Sequence, residues 1–413
     1  MRTRVRRFPG ESPDATLPPI FTVREADRWR SESIRRAVLV LVCSVARAAL
    51  AQTPSPTPVA APPPVARAAA RLQETWRSHG SPGVSEAVAS HGRIVFSSGA
   101  GYADLESLSP ATGATVYDIG SVSKIQTAVA IMQLVEQGKV RLDDDIRKYM
   151  PAFPDKGAPI TILNLMTHTS GIRHYKDADF QGTPADENVH RYASIDEAIG
   201  IFKDDPLLFP PGKYYSYTSY GVNLLQGVVE KASGKPFETY MRENVWGPAG
   251  MGATQFNIPE RVIRNRARSY EPGEDGGVRN VLYGDLTYKF ASGGMMSTAE
   301  DLVLFASALN AGRLMKKETL AQMWSPQIPG VLEFRANAEP RKMEGEQGLI
   351  WRIGKDSAGR RYVSHSGAVQ RFHSCLVNYP DLDLSVAILE NSYEGVGIKE
   401  NLAVAEMFLD AGK

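Results

Sequence analysis

Hydrophobic and polar positions alternate near both ends of the chain, whereas the long middle part follows a helical period. Apolar residues at helical spacing predict a helix over 65–76. Alternation with a period of two predicts strands over 84–89 and 93–98, joined by a turn at His91-Gly92. The pattern returns at the other end, where three strands and a closing helix are predicted over 361–366, 373–379, 384–390 and 398–409.

The middle of the chain, from Ser121 to about Leu314, is predicted to be mostly helical with long loops. The simplest packing joins the strands of both chain ends in one sheet and inserts the helical part between them. The expected fold class is therefore α/β (α+β), with an α/β subdomain and an all-α subdomain. A cleft between two such subdomains is a usual place for a site.

The first 51 residues are expected to be an export signal. An apolar run over 37–46 follows two arginines and is too short to cross a bilayer. Ala49-Leu50-Ala51 then supplies small residues before a cleavage point. A mitochondrial transit segment fits less well, because residues 1–34 contain five acidic side chains, Glu11, Asp14, Glu25, Asp27 and Glu32.

These boundaries predict an export signal over 1–51, a Pro- and Ala-rich linker over 52–66 and a folded domain over 67–413. The expected location is the periplasm or the medium, with no membrane span in the mature chain. A net charge of +1 and 43% hydrophobic residues are ordinary for a globular enzyme and do not suggest a nucleic-acid partner. Two cysteines, Cys43 and Cys375, cannot form a disulfide framework, and Cys375 is expected to be a buried small residue.

Ser121-Val122-Ser123-Lys124 carries the most informative chemistry. It precedes an apolar run with helical spacing, so Ser121 is expected near the start of a helix. There its backbone N–H and the positive end of the helix dipole would face an anion that forms on a substrate. Lys124 lies three residues on, which places it on the same face, beside the Ser121 hydroxyl. That is the geometry of an activated nucleophile, although Ser-x-x-Lys alone occurs by chance roughly once in a chain this long.

Four further fragments accompany this motif in chain order: 165–172, the tyrosine cluster 214–220, 292–302 and His365-Ser366-Gly367-Ala368. The set resembles the penicillin-recognising serine hydrolases, in the branch of class C β-lactamases, D-Ala-D-Ala carboxypeptidases and β-lactamase-fold esterases. Residues 170–175 and 265–268 look most like the mitochondrial serine β-lactamase-like members and their bacterial relatives. The resemblance covers about residues 67–412. It implies a β-lactamase/transpeptidase-like fold, with an antiparallel sheet flanked by helices and an active site in the cleft beside the inserted helical subdomain.

The resemblance also implies roles. Ser121 would attack a carbonyl to give an acyl-enzyme, with Lys124 or Tyr217 as the base that takes its proton. Burial lowers the pKa of a lysine and a nearby cation lowers that of a tyrosine, so the two alternatives stay open. The backbone amides of Ser121 and Ala368 would form the oxyanion hole, with Gly367 allowing close approach. Deacylation would reuse Tyr217 or His365.

Two departures from the class C pattern bear on the substrate. Tyr-x-Asn is replaced by Tyr217-Thr218-Ser219, and Lys-Thr-Gly by His365-Ser366-Gly367. A neutral histidine lacks the permanent charge that would hold the carboxylate of a β-lactam, although acidification would supply it transiently. Arg361 or Arg371 is a candidate replacement cation. Ser219, Ser366 and Gly367 are the expected substrate-binding residues.

The leading hypothesis is therefore a serine peptidase or amidase that acts on a small peptide, amide or ester, without a cofactor or metal. A β-lactamase or carboxylesterase on the same fold is an alternative. A non-catalytic, filament-forming protein is a further alternative, disfavoured because Ser121, Lys124 and Tyr217 are all intact. His168 and His174 lack metal-ligand spacing, and His168 is expected to be a hydrogen-bonded structural residue.

Overall fold

A computed structural model describes residues 63–180, 187–274, 276–392 and 395–410. The predicted export segment 1–51 lies outside the described residues, as does most of the predicted linker. The first helix begins at Pro64, inside that linker, with proline in its first turn, where a missing backbone N–H costs nothing. The N–H of Gly273 donates to the carbonyl of Gly277 at 2.9 Å.

The strands of the described residues are β1 (Gly83–Ser90), β2 (Arg93–Asp104), β3 (Ser109–Pro110), β4 (Tyr117–Asp118), β5 (Gln255–Phe256), β6 (Tyr270–Pro272), β7 (Val278–Asn280), β8 (Met295–Ser297), β9 (Leu332–Glu333), β10 (Arg341–Lys342), β11 (Glu346–Gln347), β12 (Arg352–Lys355), β13 (Arg361–Val369), β14 (Phe372–Tyr379) and β15 (Leu384–Glu390). The helices are α1 (Pro64–His79), α2 (Ser123–Glu136), α3 (Ile162–Met166), α4 (Ile195–Ala198), α5 (Ser219–Ser233), α6 (Phe237–Met241), α7 (Gly247–Ala249), α8 (Phe290–Gly293), α9 (Ala299–Asn310), α10 (Lys317–Met323) and α11 (Ile398–Leu409).

One antiparallel sheet joins the two ends of the chain. Its strand order is β11-β12-β13-β14-β15-β1-β2-β3, so β15 pairs with β1, with Ala387 opposite Ala87. The β1–β2 hairpin turns at His91 and Gly92, which both have positive φ angles, as a tight two-residue turn requires. The predicted terminal strands, the hairpin and the pairing between the chain ends are therefore confirmed.

The two faces of this sheet are buried by different helices. Alternate residues of β1 point to opposite sides: Val84 and Val88 pack with α1 and α11, whereas Ala87 and Ala89 join the larger core with α2 and α9. Cys375 on β14 belongs to the core that contains α1 and α11, and burial raises the pKa of its thiol to about 12. The prediction that Cys375 is a buried small residue is confirmed.

Helix α2 is the central element of the larger core, because every residue from Ser123 to Leu134 is buried. A helix that is enclosed on all sides holds its first turn rigidly. Helices α5 and α8 of the middle of the chain pack against α2. In the described part of the chain, no helix is both long and apolar enough to span a membrane.

Candidate active site

Ser121 lies in a short 3-10 turn, Gly120–Val122, between strand β4 and helix α2. Gly120 has a φ of 46°, and a Cβ atom added to it would lie 2.8 Å from the backbone nitrogen of Ala368. The turn therefore needs glycine both for its left-handed conformation and for its close approach to strand β13. The consequence is that the Ser121 hydroxyl is presented at the start of α2, next to the edge of the sheet.

Lys124 lies on the next turn with its side chain fully buried. Its Nζ is 2.9 Å from Ser121 Oγ, 3.0 Å from Ser219 Oγ and 2.7 Å from the carbonyl oxygen of Ser292. A carbonyl can only accept a hydrogen bond, whereas a hydroxyl can donate or accept. A neutral amine therefore fits these contacts if it donates to Ser292 and Ser219 and accepts from the Ser121 hydroxyl.

The surroundings favour that neutral form. Burial holds the pKa of Lys124 well below the usual lysine value, and the nearby cations Lys289 and Arg352 lower it further. Lys289 is itself buried. Its ammonium group lies 5.0 Å from the ring centre of Tyr175.

Tyr217 lies on the other side of the same serine. Its hydroxyl hydrogen bonds Ser121, and its ring centre is 5.0 Å from Lys124 Nζ. Burial raises the pKa of Tyr217, and this outweighs the opposing effects of the Ser121 hydrogen bond and of Arg352. The expected lowering of its pKa by a nearby cation is present, through Arg352, but desolvation outweighs it.

The strand that carries Ala368 approaches the turn that carries Ser121. A Cβ atom on Gly367 would lie 2.8 Å from the backbone nitrogen of Ser121, so the strand and the nucleophile turn are in direct backbone contact. Ser374 on the neighbouring strand donates from its hydroxyl to the carbonyl of Ile119 at 2.7 Å, which ties the turn to the sheet. Strand β12 pairs with β13 only as far as Ser364, so among the described residues no strand faces the segment that carries Ala368 on that side.

His365 lies behind Tyr217 and does not line the cleft. Its ring is 6.2 Å from that of Tyr217, and the side chain is 1% exposed. Nδ1 is 2.6 Å from the Ser366 carbonyl, so Nδ1 carries the proton, and Nε2 is a buried acceptor without a partner among the described residues. Burial, with Arg352 and Lys124 nearby, holds the pKa of His365 well below the usual histidine value. The expectation that mild acidification charges His365 is therefore wrong.

His168 and His174 hold the start of helix α5. The N–H of Thr218 donates to His168 Nδ1 at 3.3 Å, and the N–H of Ser219 donates to His174 Nδ1 at 3.1 Å. Amides at a helix start have no partner within the helix, so these two rings supply the acceptors. His168 is buried and hydrogen-bonded, as the sequence predicted.

An open cleft of about 530 Å³ lies against these groups. It is lined by Ser121, His174, Tyr175, Tyr217, Arg352, Ser364, Ser366, Gly367, Ala368, His373, Cys375 and residues 395–398. The predicted residues Ser121, Tyr217, Ser366, Gly367 and Ala368 are thus brought together. Ser219 is 3% exposed and contacts Lys124, and it is not among the residues that line the cleft.

The cation of the cleft is Arg352, which the sequence analysis missed. Its guanidinium carbon lies 6.0 Å from the ring centre of Tyr217, and it pairs with no carboxylate among the described residues. The two arginines proposed from the sequence have other contacts. Arg361 donates to the Trp324 carbonyl, and Arg371 forms an ion pair with Glu271. Arg352 is brought in by the pairing of β12 with β13, opposite Ser364, and no local sequence signal marks it.

No group of three or more His, Cys, Asp or Glu side chains that would suit a metal ion occurs in the described ranges. A separate cavity of about 420 Å³ is lined by Arg266, Arg268 and Tyr283, among others, and contains none of the groups around Ser121. The chemistry is therefore concentrated in the cleft beside Ser121.

This arrangement, a serine and a lysine at the start of a buried helix beside the edge of an antiparallel sheet, defines the class of serine hydrolases with a β-lactamase/transpeptidase-like fold. A family model described as Beta-lactamase matches residues 68–407, and the chain belongs to that family. The predicted family and fold are confirmed, and the family includes serine hydrolases, with which an acyl-enzyme mechanism is consistent.

Three relatives illustrate the range of the family. The human mitochondrial serine beta-lactamase-like protein LACTB is 29% identical, over 81% of this chain and 77% of that protein. Esterase EstB of Burkholderia gladioli is 28% identical, over 80% of this chain and 91% of that protein. Among solved structures, the octameric penicillin-binding protein homologue from Pyrococcus abyssi superposes with a TM-score of 0.71 at 27% identity, over 84% of this chain and 77% of that chain.

Proposed function

We propose that Ser121 is the nucleophile of this hydrolase and that Lys124 is the base that activates it. One observation carries this assignment: Lys124 Nζ is 2.9 Å from Ser121 Oγ while its other two contacts are a carbonyl and a hydroxyl. Burial and the neighbouring cations lower the pKa of Lys124, which favours the unprotonated amine. Such an amine is a competent acceptor for the serine proton.

In the proposed reaction, Lys124 takes the proton of Ser121 as Oγ bonds to the substrate carbonyl carbon. The negative charge on the carbonyl oxygen is stabilised by the N–H groups of Ser121 and Ala368. Tyr217 stays protonated because its pKa is raised, so its O–H can pass a proton to the leaving group while Lys124 returns one to the phenol oxygen. Water then repeats the sequence on the acyl-enzyme and releases the acid. The neutral ring of His365 packs near Tyr217 and orients it, and His365 takes no part as a charged group.

For the substrate, we propose a small peptide, amide or ester with a carboxylate near the reacting bond. Arg352 supports this class, because it offers a guanidinium to the cleft and has no acidic partner in the described part of the chain. A planar guanidinium holds a carboxylate through two parallel hydrogen bonds. Ser366 and Gly367 would contact the same ligand from the strand edge.

Hydrolysis of β-lactams is the second candidate function, and Arg352 is also the observation that favours it. His365 occupies the position of the usual lysine, and this replacement alone would leave the carboxylate of a β-lactam without an anchor. Arg352 supplies a permanent cation in the same cleft, 6.0 Å from the Tyr217 ring centre. The two functions differ only in the leaving group and in the rate at which water releases the acyl-enzyme.

We retain the proposal that residues 1–51 direct export and that the hydrolase domain follows the linker. The apolar run 37–46 and the small residues 49–51 support it. The relative in human mitochondria shows that the fold also serves in another compartment. Cell fractionation of the native host, with N-terminal sequencing of the processed protein, tests this proposal.

The catalytic assignment is tested with a fluorophosphonate probe, which reacts with activated serines. Mass spectrometry of the labelled wild-type protein should locate the adduct on Ser121, and Ser121→Ala should abolish labelling. Ser107→Ala, at an exposed turn, is the matched control and should label normally. Labelling that persists in the Ser121→Ala protein would place the nucleophile elsewhere.

A further inference from the structure

The hydrogen bond from the Ser219 amide fixes which nitrogen of His174 carries a proton. A backbone N–H is always a donor, so His174 Nδ1, at 3.1 Å, must be the acceptor and cannot be protonated. A neutral imidazole carries a single proton, so it resides on Nε2. Burial, with Lys124 and Lys289 nearby, lowers the pKa of His174 to about 3, which keeps the ring neutral at working pH. His174 is thus a neutral N–H donor through Nε2.

His168 has the same tautomer for the same reason, since its Nδ1 accepts the Thr218 amide. The two rings differ in where the donor nitrogen lies. His168 Nε2 is buried, and the ring packs 4.6 Å from that of Tyr217. His174 is half-buried and lines the cleft, and its Nε2, unlike that of His168, is not among the buried atoms that lack a hydrogen-bond partner. Among the described residues, His174 Nε2 has no hydrogen-bond partner.

The ring of His174 is also held firmly. Tyr175, another lining residue, lies 3.9 Å away between ring centres, and Tyr217 packs edge-on at 5.7 Å. Its Nδ1 is anchored to the first residue of α5. A donor that is pre-oriented in this way loses little conformational freedom when it binds a ligand.

We propose that His174 is a specificity-determining residue, whose Nε2–H donates to a neutral acceptor on the substrate, an amide carbonyl oxygen next to the reacting bond. The inference rests on the proposed function, because it concerns the substrate of the same cleft. The proposal distinguishes two kinds of substrate recognition. Arg352 takes a carboxylate, whereas His174 takes an uncharged carbonyl, so acylamino compounds are preferred over plain alkyl esters.

Two activated esters with the same leaving group test the proposal. p-Nitrophenyl N-acetylglycinate carries an amide carbonyl beside the ester, and p-nitrophenyl butyrate does not. The ratio of their kcat/KM values is measured for the wild type and for His174→Asn. The Asn oxygen retains an acceptor for the Ser219 amide, but the donor at the Nε2 position is lost. The ratio should fall about three- to tenfold, the usual effect of one neutral hydrogen bond.

His174→Gln provides the second variant, because its amide N–H reaches the position of Nε2. It should recover most of the ratio, which a purely structural role for His174 would not explain. His190→Asn, at an exposed histidine that contacts Glu197, is the matched control and should leave both kcat/KM values unchanged. The wild-type ratio should also be constant between pH 6 and 8, since the ring does not titrate there.

The outcomes distinguish a failure of the proposed function from a failure of the assignment of His174. Failure of wild-type protein to hydrolyse either ester, or hydrolysis that survives Ser121→Ala, contradicts the proposed function. Hydrolysis that depends on Ser121, with the same ratio in wild type and His174→Asn, overturns the assignment of His174 alone. A ratio that falls equally in the Asn and Gln variants also overturns it, because the N–H donor restored by Gln would then make no difference.

Discussion

A Cβ atom on Gly367 would lie 2.8 Å from the backbone nitrogen of Ser121, closer than carbon and nitrogen atoms approach without a bond. The strand edge and the nucleophile turn are therefore in contact through their backbones. We expect this contact to bring the two proposed oxyanion donors, the N–H groups of Ser121 and Ala368, close together. It also explains why the segment before the nucleophile and the segment after His365 each contain a glycine.

Gly367→Ala should lower kcat/KM by at least about a hundredfold, because the methyl group must push the strand away from Ser121 and displace one oxyanion donor. Steady-state kinetics with an activated ester, beside thermal melting, separates this from loss of the fold. Gly200→Ala is the matched control, since a Cβ atom there meets nothing within 4 Å. An active Gly367→Ala enzyme would show that the strand does not contribute to the oxyanion hole.

The positive charge near Lys124 should determine the pH at which kcat/KM falls on the acid side of the pH–rate profile, called the acid limb below. After burial, the charge of Lys289 is the largest cause of the lowered pKa of Lys124. Lys289→Met removes that cation, so the pKa of Lys124 should rise and the acid limb of kcat/KM should move to higher pH. Lys289→Arg retains the charge and should leave the limb near its wild-type position. The measurement is kcat/KM for an uncharged ester from pH 5 to 9.

A limb that moves to lower pH in Lys289→Met, or does not move at all, would contradict the role of Lys124 as the titrating base. Lys124→Arg provides the complementary observation. A guanidinium does not lose its proton near neutral pH, so acylation should fall by orders of magnitude while the protein still folds.

The scaffold could be predicted from the sequence to a large extent, because its signals are local. Alternation marked the strands at both ends, and a helical period marked α2 behind the Ser121 motif. The order of the five fragments then located Tyr217 and Ala368 near Ser121, through resemblance rather than through periodicity.

The remaining parts of the site depend on long-range pairing and on burial, which a sequence pattern does not encode. Arg352 reaches the cleft because of the register between β12 and β13. Ser219 contacts Lys124 because it is the first residue of α5, where its N–H is held by His174. The direction of the pKa shift of Tyr217 followed from desolvation, whose extent is known only once the fold is built.

Arg352→Gln should lower kcat/KM by roughly ten- to a hundredfold for peptides or β-lactams that carry a carboxylate. Substrates without a carboxylate should lose much less, so the ratio between matched acid and methyl-ester substrates is the quantity to measure. Arg341→Gln, at a surface ion pair with Glu333, is the matched control. Equal losses on both substrates would mean that Arg352 supports the site without binding the carboxylate.

Turnover of β-lactams should not improve as pH falls from 7.5 to 5.5. His365 is buried and its pKa is far below the usual histidine value, so it gains no charge in this range. Acidification also favours the protonated form of Lys124, which cannot act as the base. Nitrocefin hydrolysis over this range is the measurement, and a rate that rises toward pH 5.5 would show that His365 is accessible to protons and does supply a charge.

Glu86 should make the fold less stable as pH rises. This carboxyl group lies on β1, is 1% exposed and has no hydrogen-bond partner for Oε1 among the described residues. Burial raises its pKa to about 8, against a weaker opposing effect of Arg71. The folded protein therefore keeps this proton up to about pH 8, whereas the unfolded chain releases it above about pH 4.5. Between these values the unfolded state binds fewer protons, so stability falls with pH.

Glu86→Gln removes this titration. The free energy of unfolding of the variant, relative to wild type, should rise between pH 5 and pH 8 by about 2–4 kcal/mol, since each pKa unit corresponds to about 1.4 kcal/mol. Urea unfolding at the two pH values gives this difference and cancels any constant effect of the amide. Glu74→Gln, at an exposed position on α1, is the control and should show no such pH dependence. A relative stability that is flat or falls with pH would mean that Glu86 is ionised in the folded protein, because only a proton retained on folding produces the predicted rise.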